Sequence, residues 1–258
     1  MAPKMFHLQI QASALMGATL AILPGDPGRV ERIARTMKNP KFLAQNREYM
    51  MWLAETEEGR KVVVCSTGIG GPSSAIAVEE LAMCGIKDFL RVGTTGLIQP
   101  QIDPGTVVIM TGSVRLEGTS KHLAPIEYPA VAHHEWVRSL VDTARRLKIP
   151  HVVGVSASSD TFYQGQSRQD SFKKGFVVRE LEGRMKEMEQ LGVLSFEMEA
   201  GLILTQTSAF GLRGGAIAAG IVNRHRRELP DESIILDAEA KVIELAAKAI
   251  DSLAVGPS

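Results

Sequence analysis

The chain has 258 residues, of which 45% are hydrophobic, so it can bury a sizeable core in one large domain or two small ones. Lys plus Arg and Asp plus Glu both number 29, which excludes the strong overall charge that attracts nucleic acid or a membrane surface. The two cysteines, Cys65 and Cys84, form no Cys-x-x-Cys pair, which argues against a zinc site and a disulfide framework.

The sequence shows no targeting signal that we recognise. No apolar run is long enough for a membrane span, and Met1–Leu8 lacks the core of a signal peptide. No repeat, low-complexity tract or linker interrupts the chain. We therefore expect a cytoplasmic protein with a single domain over residues 1–258 and with no membrane or nucleic-acid partner.

The first elements in chain order are a strand, a helix and a hairpin. Gly17–Leu23 is apolar and ends in a Pro/Gly turn, and Val30–Met37 has apolar residues at helical spacing. In this arrangement Arg29 lies near the N-terminus of the helix, where backbone amides can also bind an anion. The alternative interpretation is an ordinary Pro/Gly turn without a ligand. Tyr49–Glu55 and Lys61–Ser66 are predicted to form the hairpin.

A glycine-rich segment, Thr67–Ser73, leads into a predicted helix over Ser74–Cys84. It is not a Rossmann fingerprint, because the third glycine and the later acidic residue are missing. It is not a Walker A loop either, because no Gly-Lys-Ser/Thr sequence closes it. We favour the interpretation that these glycines let the helix pack closely on a sheet.

Arg91 is predicted at the carboxyl end of a buried strand, Ile86–Val92, before a turn that contains Gly93, Thr94 and Gly96. A buried guanidinium is costly without an anionic partner, and backbone N–H groups and threonine hydroxyls add donors beside it. Two interpretations follow from these residues. Arg91 either belongs to an oxyanion cradle or forms a salt bridge with a nearby carboxylate.

The C-terminal half alternates strands with helices. The predicted elements are strands at Thr106–Val114, Val152–Ala157 and Gly214–Val222, and helices at Pro129–Lys148, Gly201–Phe210 and Ser233–Leu253. The charged segment Tyr163–Gln190 is predicted to be an insertion or lid, with helical character in Arg179–Gln190. The alternation predicts an α/β fold, a three-layer α/β/α sandwich with a central mixed, largely parallel sheet.

Polar groups follow the predicted strands at five places: Gly25–Arg29, Arg91–Thr94, Asp160–Arg168, Glu197–Glu199 and Asn223-Arg224. In open α/β sheets, ligands bind outside the carboxyl ends of the strands. We therefore expect these groups to form one site at that edge of the sheet.

Several segments together carry a resemblance to a known family. They are Pro24–Pro27, Cys65–Ser73, Phe89–Gly96, Ala157–Tyr163 and Phe196–Glu199. In combination they resemble the uridine phosphorylases of the hexameric nucleoside phosphorylase superfamily, from about His7 to the final helix. The resemblance implies a nucleoside phosphorylase-like fold and a pentosyltransferase of pyrimidine salvage. Such an enzyme converts uridine and related pyrimidine nucleosides, with inorganic phosphate as co-substrate, reversibly to the base and ribose 1-phosphate.

The chemistry of that reaction is compatible with the motifs that the sequence lacks. Phosphate is itself an anionic nucleophile, so no Ser-His or Cys-His pair is needed to activate one, and no required cofactor is implied. The protein has to hold phosphate, stabilise a ribosyl cation-like transition state, and accept negative charge on the departing base.

The resemblance also implies roles for individual residues. Phosphate would be bound by Gly25, Arg29, Arg91 and Thr94, with Arg47 from a neighbouring subunit. The ribose site would contain His7 from the neighbour, Thr94, Glu197, Met198 and Glu199. The base would be held by Phe162, Gln166, Arg168 and Arg224. The residues expected to act in catalysis are Arg91, Arg168, Gln166 and Glu199.

The base-binding residues suit uracil. A glutamine amide such as that of Gln166 can pair with a uracil carbonyl and N–H, while Arg168 donates to a carbonyl oxygen and stabilises charge spreading onto it. Gln164 and Ser167 depart from the usual family pattern in this loop, which leaves open the relative use of uridine, deoxyuridine and thymidine.

Sharing of His7 and Arg47 between subunits implies a homohexamer, a trimer of dimers. In some relatives a potassium ion bridges subunits, and Glu48, Ile69 and Ser73 match its ligand positions. Oxygen ligands of this kind suit a hard cation.

Two alternatives stay open. One is a purine nucleoside phosphorylase or nucleosidase of the same fold. Purine-cleaving relatives have an aspartate where this chain has Asn223-Arg224, which favours a pyrimidine. The other is a non-catalytic nucleoside-binding module, although a mere binder has no reason to keep Arg29, Arg47 and Arg91 together.

Overall fold

The structure is a computed structural model that describes residues 4–254. Both ends of the domain predicted over residues 1–258, and the start of Met1–Leu8, therefore lie outside the described residues. The strands are β1 Leu20–Pro24, β2 Lys38–Asn46, β3 Tyr49–Glu55, β4 Lys61–Cys65, β5 Asp88–Leu97, β6 Val107–Leu116, β7 Ala130–Val131, β8 His151–Ser159, β9 Ser195–Glu197 and β10 Arg213–Asn223. The α-helices are α1 Pro27–Ala34, α2 Gly71–Met83, α3 His134–Leu147, α4 Arg184–Gln190, α5 Ala200–Ala209 and α6 Glu232–Ser252.

These strands form one mixed sheet in the order β10-β6-β8-β9-β5-β1-β4-β3-β2, with β7 paired to β6. Because β10 also pairs with β5, the strands β5, β10, β6, β8 and β9 close into a ring. Parallel pairs join β1 to β4 and β5, β10 to β5, and β8 to β6 and β9. Antiparallel pairs are as frequent as parallel ones, and they include the predicted β3–β4 hairpin.

Helices cover both faces of the sheet. Helices α1, α3 and α6 bury Val30, Ile33, Trp136, Leu140 and Val242 against one face. Helices α2 and α5 bury Ala77, Val78, Leu81, Ile203 and Leu204 against the other. The predicted three-layer α/β fold is therefore confirmed. Among residues 4–254, no helix combines the length and the apolar character needed to span a membrane.

Three helices, α1, α2 and α3, begin at least three residues from the predicted position, and α2 begins at Gly71 rather than Ser74. Helix α1 begins at Pro27 rather than Val30, because Pro27 fits the first turn and the Asp26 carboxylate accepts the Gly28 N–H at 2.8 Å. Helix α3 begins five residues after Pro129, because Ala130–Val131 pair with β6 and the His133 side chain caps the helix.

Strand β2 was not predicted from the sequence. Most of its residues are exposed, because it forms the edge of the sheet and pairs only with β3. An edge strand of this kind lacks the apolar alternation on which strand prediction depends.

The predicted turn after Arg91 is wrong. Strand β5 continues to Leu97, because β10 pairs beside it from Asp88 opposite Arg213 to Leu97 opposite Asn223. Arg91 and Thr94 therefore lie within the strand. By contrast, the expected irregular segment is observed, since only a 3-10 turn at Arg179–Leu181 and helix α4 are regular within residues 163–190.

Candidate active site

A cavity of about 600 Å³ opens beside the carboxyl ends of β1, β9 and β10 and the second half of β5. It brings together most of the residues that the sequence predicted for a site. Those that line it are Gly25, Arg29, Ile69, Arg91, Thr94, Phe162, Gln166, Arg168, Glu197, Met198 and Glu199. Four of the five polar features expected at one edge of the sheet therefore contribute directly to one cavity.

Arg91 lies between two buried carboxylates at the centre of this cavity. Its Nε donates to Glu197 Oε2 at 2.8 Å, and its Nη2 pairs with Glu199 Oε2. Burial opposes the positive charge, but Glu199 and Glu197 outweigh it and raise the pKa of the guanidinium above its ordinary value. Its buried Nη1 has no hydrogen-bond acceptor among residues 4–254. The salt bridge that was one interpretation of Arg91 is thus present, and one N–H of the group is unpaired among these residues.

Arg29 is the second arginine that lines the cavity. It lies on α1, directly after the turn formed by Gly25 and its neighbours. Its Nη2 pairs with Glu239 Oε1 at 2.7 Å. Its Nε is buried and makes no hydrogen bond within the described part of the chain. Arg29 and Arg91 therefore each have one buried N–H donor that is unpaired among residues 4–254.

Backbone groups position the two carboxylates. Glu197 Oε2 accepts the N–H groups of Glu199 and Ala200, each at 2.9 Å, at the start of α5. Its Oε1 accepts the Ser158 hydroxyl. Among residues 4–254, the Glu197 carboxylate therefore accepts hydrogen bonds from one cation, Arg91, and from neutral donors of the chain.

Glu199 is held from the opposite side by the glycine-rich segment. Its Oε1 accepts the Gly70 N–H at 2.6 Å. Burial raises the pKa of the Glu199 carboxyl, Arg91 opposes this shift, and the nearby charge of Glu197 adds to it. Gly70 has φ +93°, a conformation that L side chains rarely adopt, so glycine is required there for the bond to form. The interpretation of these glycines as packing positions alone was incomplete.

Gly93 allows the Arg91 side chain to lie along its own strand, over the residue two positions later. A Cβ atom at Gly93 would lie 2.9 Å from Arg91 Nη2 and 3.1 Å from Cζ. Any larger residue would therefore displace the guanidinium from its two carboxylates.

The other end of the cavity is formed by the segment after β8. Gln166 is 3% exposed, and the Arg168 Cζ lies 4.1 Å from the centre of the Phe162 ring. Phe162 is 45% exposed, so one part of the ring is available for a ligand. Arg168 Nη2 donates to the Glu228 carbonyl at 2.6 Å.

Arg224 supports this end without lining the cavity. It donates through Nη1 to the Gln166 carbonyl, and through Nε and Nη2 to the Glu228 carboxylate at 2.9 and 3.1 Å. Arg168 also lies 3.6 Å from that carboxylate. The two arginines therefore join the loop after β8 to the loop after β10.

Comparison with known proteins agrees with this geometry. A sequence profile of the phosphorylase superfamily matches residues 19–254. The uridine phosphorylase of Haemophilus influenzae is 49% identical over 248 residues, 96% of this chain and 98% of that protein. The uridine phosphorylase of Escherichia coli is 50% identical over 244 residues, 95% and 96% of the two chains. A guanosine phosphorylase of Halorubrum lacusprofundi is 39% identical over 198 residues, 77% and 76% of the two chains.

The chain belongs to the phosphorylase superfamily.

Five predicted site residues of this phosphorylase do not line the cavity of the described chain: His7, Arg47, Glu48, Ser73 and Arg224. Arg47 is exposed in the turn between β2 and β3. His7 is tied to Glu80 on α2, with Nδ1 2.7 Å from the Glu80 Oε1 atom.

Part of the cavity lining was not predicted from the sequence. Glu228, Leu229 and Pro230 follow β10 and face the cavity from the loop before α6. They lie in a polar stretch without a motif, so only their position after a strand could have indicated them. Gly70 was missed for another reason, because a backbone donor has no side-chain signature.

Proposed function

We propose that this phosphorylase cleaves uridine and related pyrimidine nucleosides with inorganic phosphate, reversibly, to uracil and ribose 1-phosphate. It is then a pentosyltransferase of pyrimidine salvage that needs phosphate as co-substrate and no cofactor. The observation that carries the proposal concerns two of the arginines that line the cavity, Arg29 and Arg91, because each has a buried N–H without an acceptor in the described part of the chain. Similarity over almost the whole chain to two uridine phosphorylases supports the same substrate.

The positive charge of two arginines indicates which part of the cavity binds phosphate in this proposal. Gly25, Arg29, Arg91 and Thr94 surround one part of the cavity, and guanidinium groups bind phosphate through paired N–H donors. Bound there, a phosphate oxygen attacks the ribose carbon that carries the base. The carbon–nitrogen bond breaks, its electron pair moves to the base, and the proton of hydrogen phosphate balances the proton that uracil gains.

The ribose lies between the phosphate and the base in this proposal. Glu199 and Glu197 accept hydrogen bonds from the sugar hydroxyls, and Met198 supplies apolar contact beside them. Carboxylates also stabilise the positive charge that develops on the ribosyl group, as in other glycosyl transfers through oxocarbenium-like transition states.

The base lies against Phe162, where the Gln166 amide pairs with uracil and Arg168 donates to a carbonyl oxygen. Arg168 then stabilises negative charge on the leaving base. Arg224 contributes by holding the Gln166 backbone and the Glu228 carboxylate, so its role in base binding is exerted through them.

A purine substrate is the second candidate, because one relative is a guanosine phosphorylase. The side chain of Asn223, at the end of β10, argues against it. Its Nδ2 donates to the carbonyls of Gln99 and Ile102, and its Oδ1 accepts the His225 N–H. A carboxamide has no titrating proton, and this one is bonded to backbone groups, so Asn223 supplies no acid to protonate a purine.

The test is absorbance-monitored base release from uridine and from inosine, each with and without phosphate. We expect release from uridine only when phosphate is present, with inosine much slower. Faster cleavage of inosine would retire the pyrimidine assignment. Release without phosphate would indicate a hydrolase, and binding without cleavage would indicate a nucleoside-binding module.

We further propose that the single domain assembles as a homohexamer, a trimer of dimers in which each active site takes His7 and Arg47 from its neighbour. Neither residue lines the cavity of its own subunit. Other basic and polar residues to which the family resemblance gives a role, such as Arg29 and Arg91, do line it. The two cysteines are free and buried, which supports a reducing compartment such as the cytoplasm.

The potassium site is proposed at the same subunit boundary. Ser73 Oγ lies 3.3 Å from the Ile69 carbonyl oxygen, and a Cβ on Gly68 would contact both Glu48 and Ser73. The three predicted ligands are therefore neighbours, and all offer oxygen atoms. A thermal unfolding midpoint that responds to KCl but not to NaCl of equal ionic strength would support the site.

A further inference from the structure

Glu239 is a buried carboxylate far from the active-site motifs in sequence. It lies on α6 with its side chain 7% exposed, and it pairs with two arginines of α1. Its Oε1 lies 2.7 Å from Arg29 Nη2, and its Oε2 lies 2.9 Å from Arg32 Nη1. Of these two arginines only Arg29 lines the cavity.

Glu239 is also the close, buried ionic partner of Arg29. The other carboxylate near this guanidinium belongs to Asp26, which lies 4.0 Å from Nε and is largely exposed. The guanidinium is planar, with its donors in a fixed fork, so a partner bound at Nη2 sets the direction of the remaining donors. In Arg29 these include the buried Nε that has no acceptor within residues 4–254.

We infer that Glu239 is a positioning residue for phosphate, which holds the Arg29 guanidinium in the orientation that receives the dianion. The inference rests on the proposed function, because that function makes phosphate the anion of this cavity. Glu239 does not touch the substrates, and it acts through Arg29 alone.

Two opposite effects decide what removal of Glu239 does. Loss of a nearby carboxylate increases the net positive charge beside the phosphate, which favours binding. Loss of the anchor lets the guanidinium rotate away, which disfavours binding. Orientation dominates here, because displacement of a binding group by about 1 Å costs up to about 100-fold in activity, while charge beside a solvent-connected cavity is screened.

The experiment compares Glu239→Ala, Glu239→Gln and the wild type in phosphorolysis, varying phosphate and uridine separately. In Glu239→Ala the KM for phosphate rises about tenfold or more, while kcat and the KM for uridine change by less than about threefold. Glu239→Gln keeps an oxygen that accepts from Arg29, so its KM for phosphate lies between those of the other two proteins.

Asp237→Ala is the matched control on the same helix. Asp237 pairs with Lys241 and is 60% exposed, whereas the ion pairs of Arg29 among residues 4–254 are with Asp26 and Glu239. This variant keeps the wild-type KM for phosphate. An unchanged or lower KM for phosphate in both Glu239 variants would overturn the inference. Equal changes in both KM values, accompanied by a lower unfolding midpoint, would show that Glu239 has only a structural role.

Phosphate-induced stabilisation separates this inference from the proposed function. The rise in thermal unfolding midpoint with inorganic phosphate alone is measured for each protein without nucleoside. It is large in the wild type and in Asp237→Ala, smaller in Glu239→Gln, and smallest in Glu239→Ala. If the wild type fails to cleave uridine but shows this order, the proposed function fails and the inference stands. No stabilisation of the wild type by phosphate overturns the inference.

Discussion

Arg91 has two proposed roles, because the same guanidinium pairs with two buried carboxylates and lines the proposed phosphate site. The carboxylates of Glu197 and Glu199 lie against it at the centre of the cavity. Removing one partner of a buried ion pair costs about 3–5 kcal/mol, since an uncompensated charge remains. Replacement of Arg91 by alanine therefore affects folding as well as turnover, and it cannot serve as a purely catalytic knock-out.

Arg91→Lys separates these two roles. A lysine keeps the positive charge that Glu197 and Glu199 require, but it lacks the planar fork that binds phosphate. We expect the unfolding midpoint to fall by only a few degrees, while kcat/KM for phosphate falls about 100-fold, or about 2.7 kcal/mol. Thermal unfolding and steady-state kinetics measure the two effects. Near-wild-type turnover would refute the assignment of Arg91 to phosphate.

Glu199 makes the stability of the fold depend on pH. Its pKa is raised in the folded protein, mainly by burial, so its favourable contribution is complete below the ordinary glutamate pKa of about 4.3. That contribution is lost as the pH rises through the raised pKa. Glu199→Gln has no such loss. We expect the free energy of unfolding of Glu199→Gln, relative to wild type, to increase as the pH rises above the ordinary glutamate pKa of about 4.3.

Urea unfolding at several pH values measures this difference. Glu57→Gln is a suitable control, because Glu57 is exposed and far from the cavity in the β3–β4 turn. A difference between Glu199→Gln and wild type that stays constant or shrinks with rising pH would contradict the raised pKa.

Among the secondary-structure elements, helix α2 holds the N-terminal segment in place through one side chain, Glu80. The Glu80 carboxylate accepts the backbone N–H groups of His7 and Leu8 and contacts the His7 ring. Burial opposes ionisation of Glu80, but these hydrogen bonds outweigh it and lower the pKa of the carboxyl. Its contribution to stability is therefore present above the ordinary glutamate pKa and is lost as the pH falls through the lowered value.

Glu80→Gln is expected to release this segment. The amide keeps one oxygen but loses the charge that strengthens the bonds to His7 and Leu8. Amide hydrogen exchange of residues 5–10 should become faster, while the exchange of β5 stays unchanged. If the segment carries His7 to a neighbouring site, kcat/KM for uridine falls several-fold. Unchanged exchange in residues 5–10 would show that Glu80 does not hold the segment.

Elements that are buried or strongly periodic were predicted from the sequence. Elements whose extent depends on strands far along the chain were not predicted correctly. The β3–β4 hairpin and helix α2 were predicted, because apolar spacing and turn residues are local signals. The extent of β5 was not, because β10 pairs with it more than one hundred residues later. Edge strand β2 has no apolar alternation that could have revealed it.

The same distinction applies to the site. Arg91 and Glu199 were indicated by charged groups that follow apolar strands, whereas Gln166 was indicated only by the family resemblance. All three line the cavity. The backbone donor of Gly70 and the supporting carboxylate of Glu239 were not found. Their roles come from three-dimensional neighbours that leave no local trace in the sequence.

The proposed sharing of sites between subunits is a property of the whole molecule. If the proposal is correct, Arg47→Ala and Arg91→Lys each damage phosphate binding, and each site combines Arg91 of one chain with Arg47 of its neighbour. A mixed dimer then contains one intact site and one site with both changes. Co-expression of equal amounts should restore about one quarter of wild-type activity, since half of the dimers are mixed in a two-fold assembly.

Differently tagged chains allow the mixed assemblies to be purified and their mass to be measured by light scattering. The parent variants, purified separately and combined without exchange, are the control and stay at their own low activities. Mixed assemblies that are no more active than the parents would contradict the sharing of Arg47 across subunits.

The central claim is that arginines distant in sequence gather around one phosphate that faces a nucleoside. A crystal structure of the protein with phosphate and a uridine analogue that resists cleavage tests it most directly. We expect one dianion within hydrogen-bonding distance of Arg29 and Arg91, with the uracil ring against Phe162 and bonded to Gln166 and Arg168. An empty cavity, or an anion bound elsewhere while both arginines keep only their carboxylate partners, would contradict it.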